Sequence, residues 1–570
     1  MKKSNKPILI GCLVFPIVLI IVFAISFSLS YKKLDLKVSV PSNAWLVLDL
    51  SGGVPDYAEY SAPSFMDITS NSCRELVDKI NAAAKDKRIC GILIKPDGVQ
   101  INMANLNEIG EALKAFKQSK KPVLAYGESL WQGDYLLAAY ADSIWINPSA
   151  SAGIMLDGVS ANILFYKEAL QKLGIKMHVM QEGDFKGAGE PFTRTDLTPG
   201  TRENIEKVLK ARYDMIIDRI AVSRKIGLEQ VKNVYEAREE LFITGDKAVS
   251  YGLVDKLGSL DAFKQHYGIT EDNALKIGDY KPKIKLSKAQ NVAVINLIGD
   301  INGTGEYTQN SISLAKLERS LKDLEDDKSI KAVVLRVNSP GGSALESELI
   351  YQRLMELKKK YPLVVWMGGT AASGGYYISC AADYIVADPA CVTGSIGVIM
   401  AVPETKGLGD KLGLSSQVLR YGKYAGALEL FNTYQPSVLD ALRQSSAAVY
   451  TEFKQRVSDS RKIPMEEIPA LAEGRIFSAE DALKLKLIDA IGSQNEAINK
   501  AAALAKIKDY GVVHYPHQVS FMDLLKGSGF FKTLSKMAAD RTTPEEMLQE
   551  QLEERFSPNE WLYRCPWNLP

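Results

Sequence analysis

The chain is poor in the residues that most often carry catalysis or bind metals. Its 570 residues include four histidines, His178, His266, His514 and His517, and six cysteines, Cys12, Cys73, Cys90, Cys380, Cys391 and Cys565. The cysteines form no C-x-x-C pair and stand far apart, so neither a zinc site nor a disulfide framework is expected. No metal and no cofactor is called for. Charge of one sign is lacking too, with 69 basic residues interleaved among 68 acidic ones. A nucleic-acid binder would show a basic excess on one face or element, so that class is disfavoured. None of the histidines belongs to a G-x-S-x-G or comparable arrangement, which makes a Ser-His-acid triad improbable.

What the chain does have is length and apolar sequence. With 46% hydrophobic residues over 570 positions, it exceeds a single core and predicts two or more domains. From Pro7 to Tyr31 there are 25 residues without a charge. At about 1.5 Å per helical residue they exceed the roughly 30 Å hydrocarbon core of a bilayer, so 7–31 is expected to be a transmembrane anchor. Small-x-small patterns at Ser26-Phe27-Ser28 and Ser28-Leu29-Ser30 leave a cleaved signal peptide as the alternative. Lysines flank the run on both sides, and long downstream domains translocate largely regardless of such charges, so the body is expected outside the cytoplasm.

The sequence repeats itself. Leu50 and Leu297 end similar β-rich runs 247 apart. The run CGILIKPDG, Cys90 to Gly98, parallels AVVLRVNSPGG, Ala332 to Gly342, and Pro148 and Pro389 close matching segments at 389 − 148 = 241. Gly258 and Gly492 close another pair at 492 − 258 = 234. Ordered landmarks of this kind predict two related α/β repeats, 43–285 and 290–515, preceded by the anchor and followed by a tail, 520–570. In the tail, Thr543-Pro544-Glu545-Glu546 has the form of a helix start.

A duplicated domain separates packing from chemistry, because what packing needs should recur while what chemistry needs can survive once. Fixed by the two prolines, Ser373 in the Thr370–Ser379 segment TAASGGYYIS lies opposite Gln132, and Gly375 opposite Asp134. Ser373 is therefore a candidate nucleophile. A serine hydroxyl needs a base to take its proton, and a lysine can serve if burial keeps its amine neutral. Lys186, followed by Gly187-Ala188-Gly189, is the candidate; matching Lys172-Leu173-Gly174 with Lys411-Leu412-Gly413 sets it opposite Ala425, at 425 − 186 = 239. Each half retains one partner and has lost the other.

The motifs VNSPGG (Val337 to Gly342), TAASGGYYIS, VTGSIGVI (Val392 to Ile399) and DFKGAGEPFTR (Asp184 to Arg194) together resemble the signal peptide peptidase A family, also called protease IV, in its long, duplicated, membrane-anchored form. The resemblance implies tandem repeats of a crotonase/Clp-protease-like fold and a Ser/Lys dyad of Ser373 and Lys186. It implies that Ser395, opposite Ile154, orients the lysine, and that an oxyanion is held by backbone N–H groups of Gly341 or Gly342, with Gly374 as a second donor. The Pro96-Asp97-Gly98 stretch stands in for those glycines in the first half. Implied as well are signal peptides and unfolded segments as substrates, a bowl-shaped homo-oligomer (a tetramer), and a place in the cell inner membrane with the body on the periplasmic side. Two other readings stay open: a crotonase-type acyl-CoA hydrolase or isomerase, and a non-catalytic membrane-tethered peptide-binding scaffold.

Overall fold

The computed structural model describes residues 40–58, 71–282, 289–302 and 311–517, with further strands at Tyr60–Ser61, Val519–Ser520 and Leu562–Arg564. The expected anchor at 7–31 and the helix start in the tail lie outside the described residues. Among the described residues no helix is long and apolar enough to cross a membrane.

Apolar runs such as AWLVLDL, Ala44 to Leu50, and VAVINLI, Val292 to Ile298, have too few polar positions for a half-exposed strand, so each belongs in a sheet covered on both faces. The first half orders its parallel sheet Lys256–Leu257, Ser143–Ile146, Val123–Gly127, Ile89–Gln100, Ala44–Gly53, Ala274–Lys276. The second repeats that order with Ala490–Ile491, Tyr384–Ala387, Leu363–Ala372, Ile330–Ser339, Asn291–Ile298 and Gly511–Tyr515.

The covering helices recur as well. Cys73–Lys85 and Leu314–Asp326 stand 241 apart, as do Met103–Lys117 and Ala344–Lys358. Ser72, Ser313, Asn102 and Ser343 cap them, each side chain accepting from a backbone N–H three residues on, which satisfies a donor the helix itself cannot. The 26-residue helices Pro199–Arg224 and Pro436–Arg461 each start on proline and end on a left-handed lysine, Lys225 and Lys462.

Two joints among the contacts between the halves involve buried charge and shared strands. Arg336 of the second half is buried; its guanidinium donates at 2.7 Å to Asp56 and 2.6 Å to Glu108 of the first, and stacks on Trp366. The other joint is a sheet that neither half builds alone, in the order Ser311–Ile312, Asp300–Ile301, Gly341–Ser343, Leu562–Arg564, Val398–Glu404, Lys176–Glu182. There the first-half strand Lys176–Glu182 runs antiparallel to Val398–Glu404 over seven residue pairs. This joint carries the loop after Glu182 across the boundary.

Candidate active site

The strand Lys176–Glu182 ends at Gly183 in a positive-φ turn, and Lys186 follows at the start of the short helical turn Gly187–Gly189. Its amine crosses into the second half. Lys186 Nζ is 2.8 Å from Ser373 Oγ, 2.9 Å from Ser395 Oγ and 2.8 Å from the Ser395 carbonyl oxygen, and donates to these oxygens. All three residues are fully buried. The two residues that the repeat comparison singled out, 187 positions apart, are in direct contact.

Ser373 stands at the junction between the strand Leu363–Ala372 and the helix Gly374–Ser379, with φ +54° and ψ −117°. That region is costly for a residue with a side chain, and such strain persists only where the surroundings enforce it. Two backbone bonds do so here: Ser373 N–H donates to the Gly394 carbonyl at 2.8 Å and its own carbonyl accepts from Tyr377 at 2.8 Å. Ser395 is left-handed too, with φ +52°.

Glycines close the other side. A Cβ at Gly342 would come within 2.0 Å of the Ile301 carbonyl oxygen, one at Gly374 within 2.7 Å of Ser347 Oγ, and one at Gly375 within 2.6 Å of the Ser339 carbonyl oxygen. Of the three expected oxyanion donors, Gly341 already gives its N–H to Ser339 Oγ at 3.1 Å. Gly374 opens a helix, so its N–H has no acceptor within that helix.

The expected first-half counterpart of these glycines needs correcting. Asn102 and Ser343 are equivalent helix caps, at 343 − 102 = 241, which sets Gln100 and Ile101, not Pro96-Asp97-Gly98, opposite Gly341 and Gly342. Turn composition suggests a match that the strand lengths shift. In that half Gln132 sits where Ser373 does and is tied to Gly158, donating to its carbonyl at 2.8 Å and accepting its N–H at 2.9 Å. Asp134, buried opposite Gly375, accepts from the backbone of Gly98, Val99 and Trp131. Burial raises its carboxyl pKa.

A further loop carries no motif in the sequence. Glu473-Gly474-Arg475 lies between the lysine and serine loops: Phe185 N–H donates to the Glu473 carbonyl at 2.7 Å, Ser395 N–H to the Arg475 carbonyl at 2.6 Å, and Gly474 N–H to the Ile396 carbonyl at 2.8 Å. A Cβ on Gly474 would lie 2.4 Å from Lys186 N. Its one signal is the 234-residue register, which sets Glu240 opposite Gly474. The histidines have other roles: His178 pairs with Glu404 at 3.1 Å, His266 packs on Trp145, and buried His514 stacks on Tyr57.

Over the glycines lies the tail strand Leu562–Arg564, antiparallel to Gly341–Ser343 on one side and to Ile399 on the other. An extended segment thus fits between two strands that border Ser373.

Known proteins give this arrangement a family. The model of peptidase family S49 matches residues 115–270 and 355–508, once in each half, and that of Clp protease matches 304–389. Protease 4 of Salmonella typhi is 32% identical over 509 residues, covering 85% of this chain and 82% of that protein. The chloroplastic serine protease SPPA of Arabidopsis thaliana is 28% identical over 498 residues, covering 83% and 71%. A solved membrane-bound stomatin-specific protease with a substrate peptide is 20% identical, covers 42% of this chain and 97% of its own, and has a TM-score of 0.25. With the family model on both repeats and a relative above 30% identity along most of its length, this chain belongs to peptidase family S49 and is a serine peptidase of the SppA type.

Proposed function

We propose that this peptidase works through a Ser373/Lys186 dyad assembled between its two repeats, and that it digests signal peptides and other unfolded segments beside a membrane. The carrying observation is the 2.8 Å contact of Lys186 Nζ with Ser373 Oγ, clamped by Ser395. Burial works against the ammonium form of an amine, and only the neutral amine can accept a proton. Lys186 takes the Ser373 proton as the oxygen attacks the peptide carbonyl, then delivers it to the departing amine, leaving an acyl-enzyme that water hydrolyses. Backbone N–H groups of Gly342 and Gly374 hold the oxyanion; Gly341 keeps its bond to Ser339. Ser395 turns the lysine toward Ser373. Substrate adds as a strand where Leu562–Arg564 lies, a mode in which main-chain bonds give affinity with little regard to sequence.

The substrate class follows the resemblance to the signal peptide peptidase A family, and the membrane follows the uncharged run from Pro7 to Tyr31, which would hold the body on the periplasmic side of the inner membrane. The test is a serine-directed acylating probe on detergent-solubilised protein, with the labelled residue mapped. Label on Ser373, lost in Lys186→Ala, is expected, with a labelling rate that rises with pH as the amine is neutralised. Label elsewhere, or a Lys186→Ala variant that labels normally, would remove the dyad. Hydrolysis of acyl-CoA by the unlabelled protein would favour the crotonase reading instead.

A further inference from the structure

The helix Pro199–Arg224 begins shortly after Lys186 and has its twin in Pro436–Arg461, at 436 − 199 = 237. The helices agree in length and at both ends, yet their first turns differ. In the first half that turn is a buried polar joint. Thr198 caps the helix, its side chain accepting from Thr201 N–H, and Glu190 reaches the cap from the lysine loop. The Glu190 carboxylate, 4% exposed, accepts from Thr198 N–H at 2.8 Å, from Thr198 Oγ1 at 2.7 Å and from Thr201 Oγ1 at 2.7 Å. A carboxylate at a helix N-terminus meets the positive end of the dipole, and these donors offset the cost of taking it out of water. Gly187 lies directly against Thr201, where a Cβ would come within 2.5 Å of Thr201 Cγ2. The turn that carries Lys186 is thus bonded to the helix start through Glu190 and packed on it through Gly187.

Asn204 ties the same helix end to the serine side. Its amide donates to the Ile476 carbonyl at 2.8 Å and accepts Ile476 N–H at 2.9 Å. Ile476 pairs with Gly394 in the antiparallel strands Ile476–Ser478 and Val392–Gly394, and the Gly394 carbonyl holds Ser373 N–H. Ser395 follows directly. The helix start therefore stands between the two loops of the site and is linked to each. The twin is built otherwise. At 237, Gln435, Val438 and Ala441 stand opposite Thr198, Thr201 and Asn204, and Gln435 makes no side-chain cap bond. Glu190 recurs as Glu429, at 429 − 190 = 239, but there the side chain is exposed. A helix of this length forms in the second half without the polar joint, so the joint serves something other than helix formation.

We infer that Glu190, Thr198, Thr201 and Asn204 form a positioning frame that sets Lys186 Nζ against Ser373 Oγ across the boundary between the repeats. The inference rests on the dyad reading and adds to it the residues that hold the amine in place. They act through the Lys186 turn at one end and the strand before Ser395 at the other. A lysine side chain has many rotamers to lose, and proton transfer needs its amine within hydrogen-bond reach of the serine at each turnover. A turn fixed to both partners of the reaction supplies that constancy, which a loop held at one end would not.

The test uses full-length protein in detergent micelles and a serine-directed acylating probe, with peptide turnover measured alongside. Thr201→Val keeps the shape of the side chain and its contact with Gly187, and gives the position the residue of its twin. It should slow labelling of Ser373 and lower kcat by roughly ten- to a hundredfold, with KM within about twofold and the final extent of labelling unchanged. Thr201→Ser, which keeps the hydroxyl, should restore most of the rate. Asn204→Ala should give the same loss from the other end of the frame, and decides alone if Thr201→Val does not fold. Ser259→Ala removes the cap of Leu260–Tyr267, a first-half helix that packs on Trp145; it controls for lost stability and should leave the labelling rate as it is. A normal kcat in folded Thr201→Val or Asn204→Ala, a loss confined to KM, or Thr201→Ser as slow as Thr201→Val would overturn the inference and leave the dyad standing. Failure of the dyad shows separately, as label away from Ser373 in the unaltered protein or normal labelling of Lys186→Ala, and would remove the frame with it.

Discussion

The two halves of this molecule share a strand order, paired helices and equivalent caps, and they differ around Ser373 and Ser395. Ser373 sits at φ +54° and Ser395 at φ +52°, whereas their counterparts Gln132 and Ile154 are absent from the positive-φ residues. Gly341 and Gly342 face Gln100 and Ile101; Gly375 faces Asp134, whose carboxylate ties down three backbone N–H groups. In the first half Gln132 and Asp134 bond to nearby backbone at the positions that Ser373 and Gly375 hold in the second. At these matched positions the strained serines and bare glycines stand in one copy, which is what a cost borne for function, and not for folding, would produce.

The largest effects should come from removing that asymmetry at the dyad. Ser373→Ala and Lys186→Ala are each expected to lower peptide turnover by roughly 10³-fold or more, and the double variant by no more than either alone, since members of one catalytic unit act together. Ser373→Gly should be equally inactive yet more stable, by about 1 kcal/mol, because glycine accepts the backbone that serine is forced into. Additive losses in the double variant would show two independent contributions and break the dyad.

Next in size is the loop with no functional counterpart in the first half. Gly474→Ala places a Cβ 2.4 Å from Lys186 N, so the lysine loop must move. A displacement near 1 Å at a reacting group costs about 10²-fold, and the loss should fall on kcat more than on KM. An unaltered kcat would mean that the Lys186 loop yields without moving its amine.

How much of this can be seen in the sequence divides along the same line. Ser373 and Lys186 are legible because the repeat supplies an internal control, each being a polar residue whose twin is not a functional equivalent, while Ser395 is reached only through the family resemblance. The parallel sheets are legible from their apolar runs. Gly474 is not, since its need for a bare Cα arises from a chain segment 474 − 186 = 288 residues away, and no local pattern reports a close approach of that kind. Nor is the antiparallel joint of Lys176–Glu182 with Val398–Glu404, because non-local pairing depends on how two repeats are docked. Composition misplaces the glycine counterpart for a related reason: Pro96-Asp97-Gly98 has the residues of a turn, but the strand Ile89–Gln100 continues through it.

The tail offers a milder test. Leu562–Arg564 lies where substrate would add, against Gly341–Ser343, a pairing without a counterpart among the described residues of the first half. Ending the chain at Pro558 should lower KM for an extended peptide several-fold with kcat little changed, as expected when a competing strand is removed from the groove. An unchanged KM would mean that peptides bind elsewhere.

The smallest effect concerns a position where the halves differ by one atom type. Asp388 ends a strand and accepts from Ala390 N–H at 2.8 Å; its twin Asn147, at 388 − 147 = 241, accepts from Ser149 N–H at 2.9 Å in the same way. Asp388 also accepts from Asn107 of the first half at 2.6 Å, with Glu108 and Arg219 nearby. Burial pushes its carboxyl up to about 7. The folded chain thus keeps a proton there that the unfolded chain releases near pH 4, so stability from this group is whole below about pH 4 and is lost as pH rises toward 7. A neutral amide at this position would carry no such penalty and would keep the turn bond. Asp388→Asn should therefore melt close to the unaltered protein at pH 3.5 and a few degrees above it at pH 8, where the carboxylate is charged in both folded and unfolded chains. A melting difference that is the same at both pH values would mean that Asp388 ionises freely in the folded protein, and that the carboxylate and the amide are interchangeable at this joint.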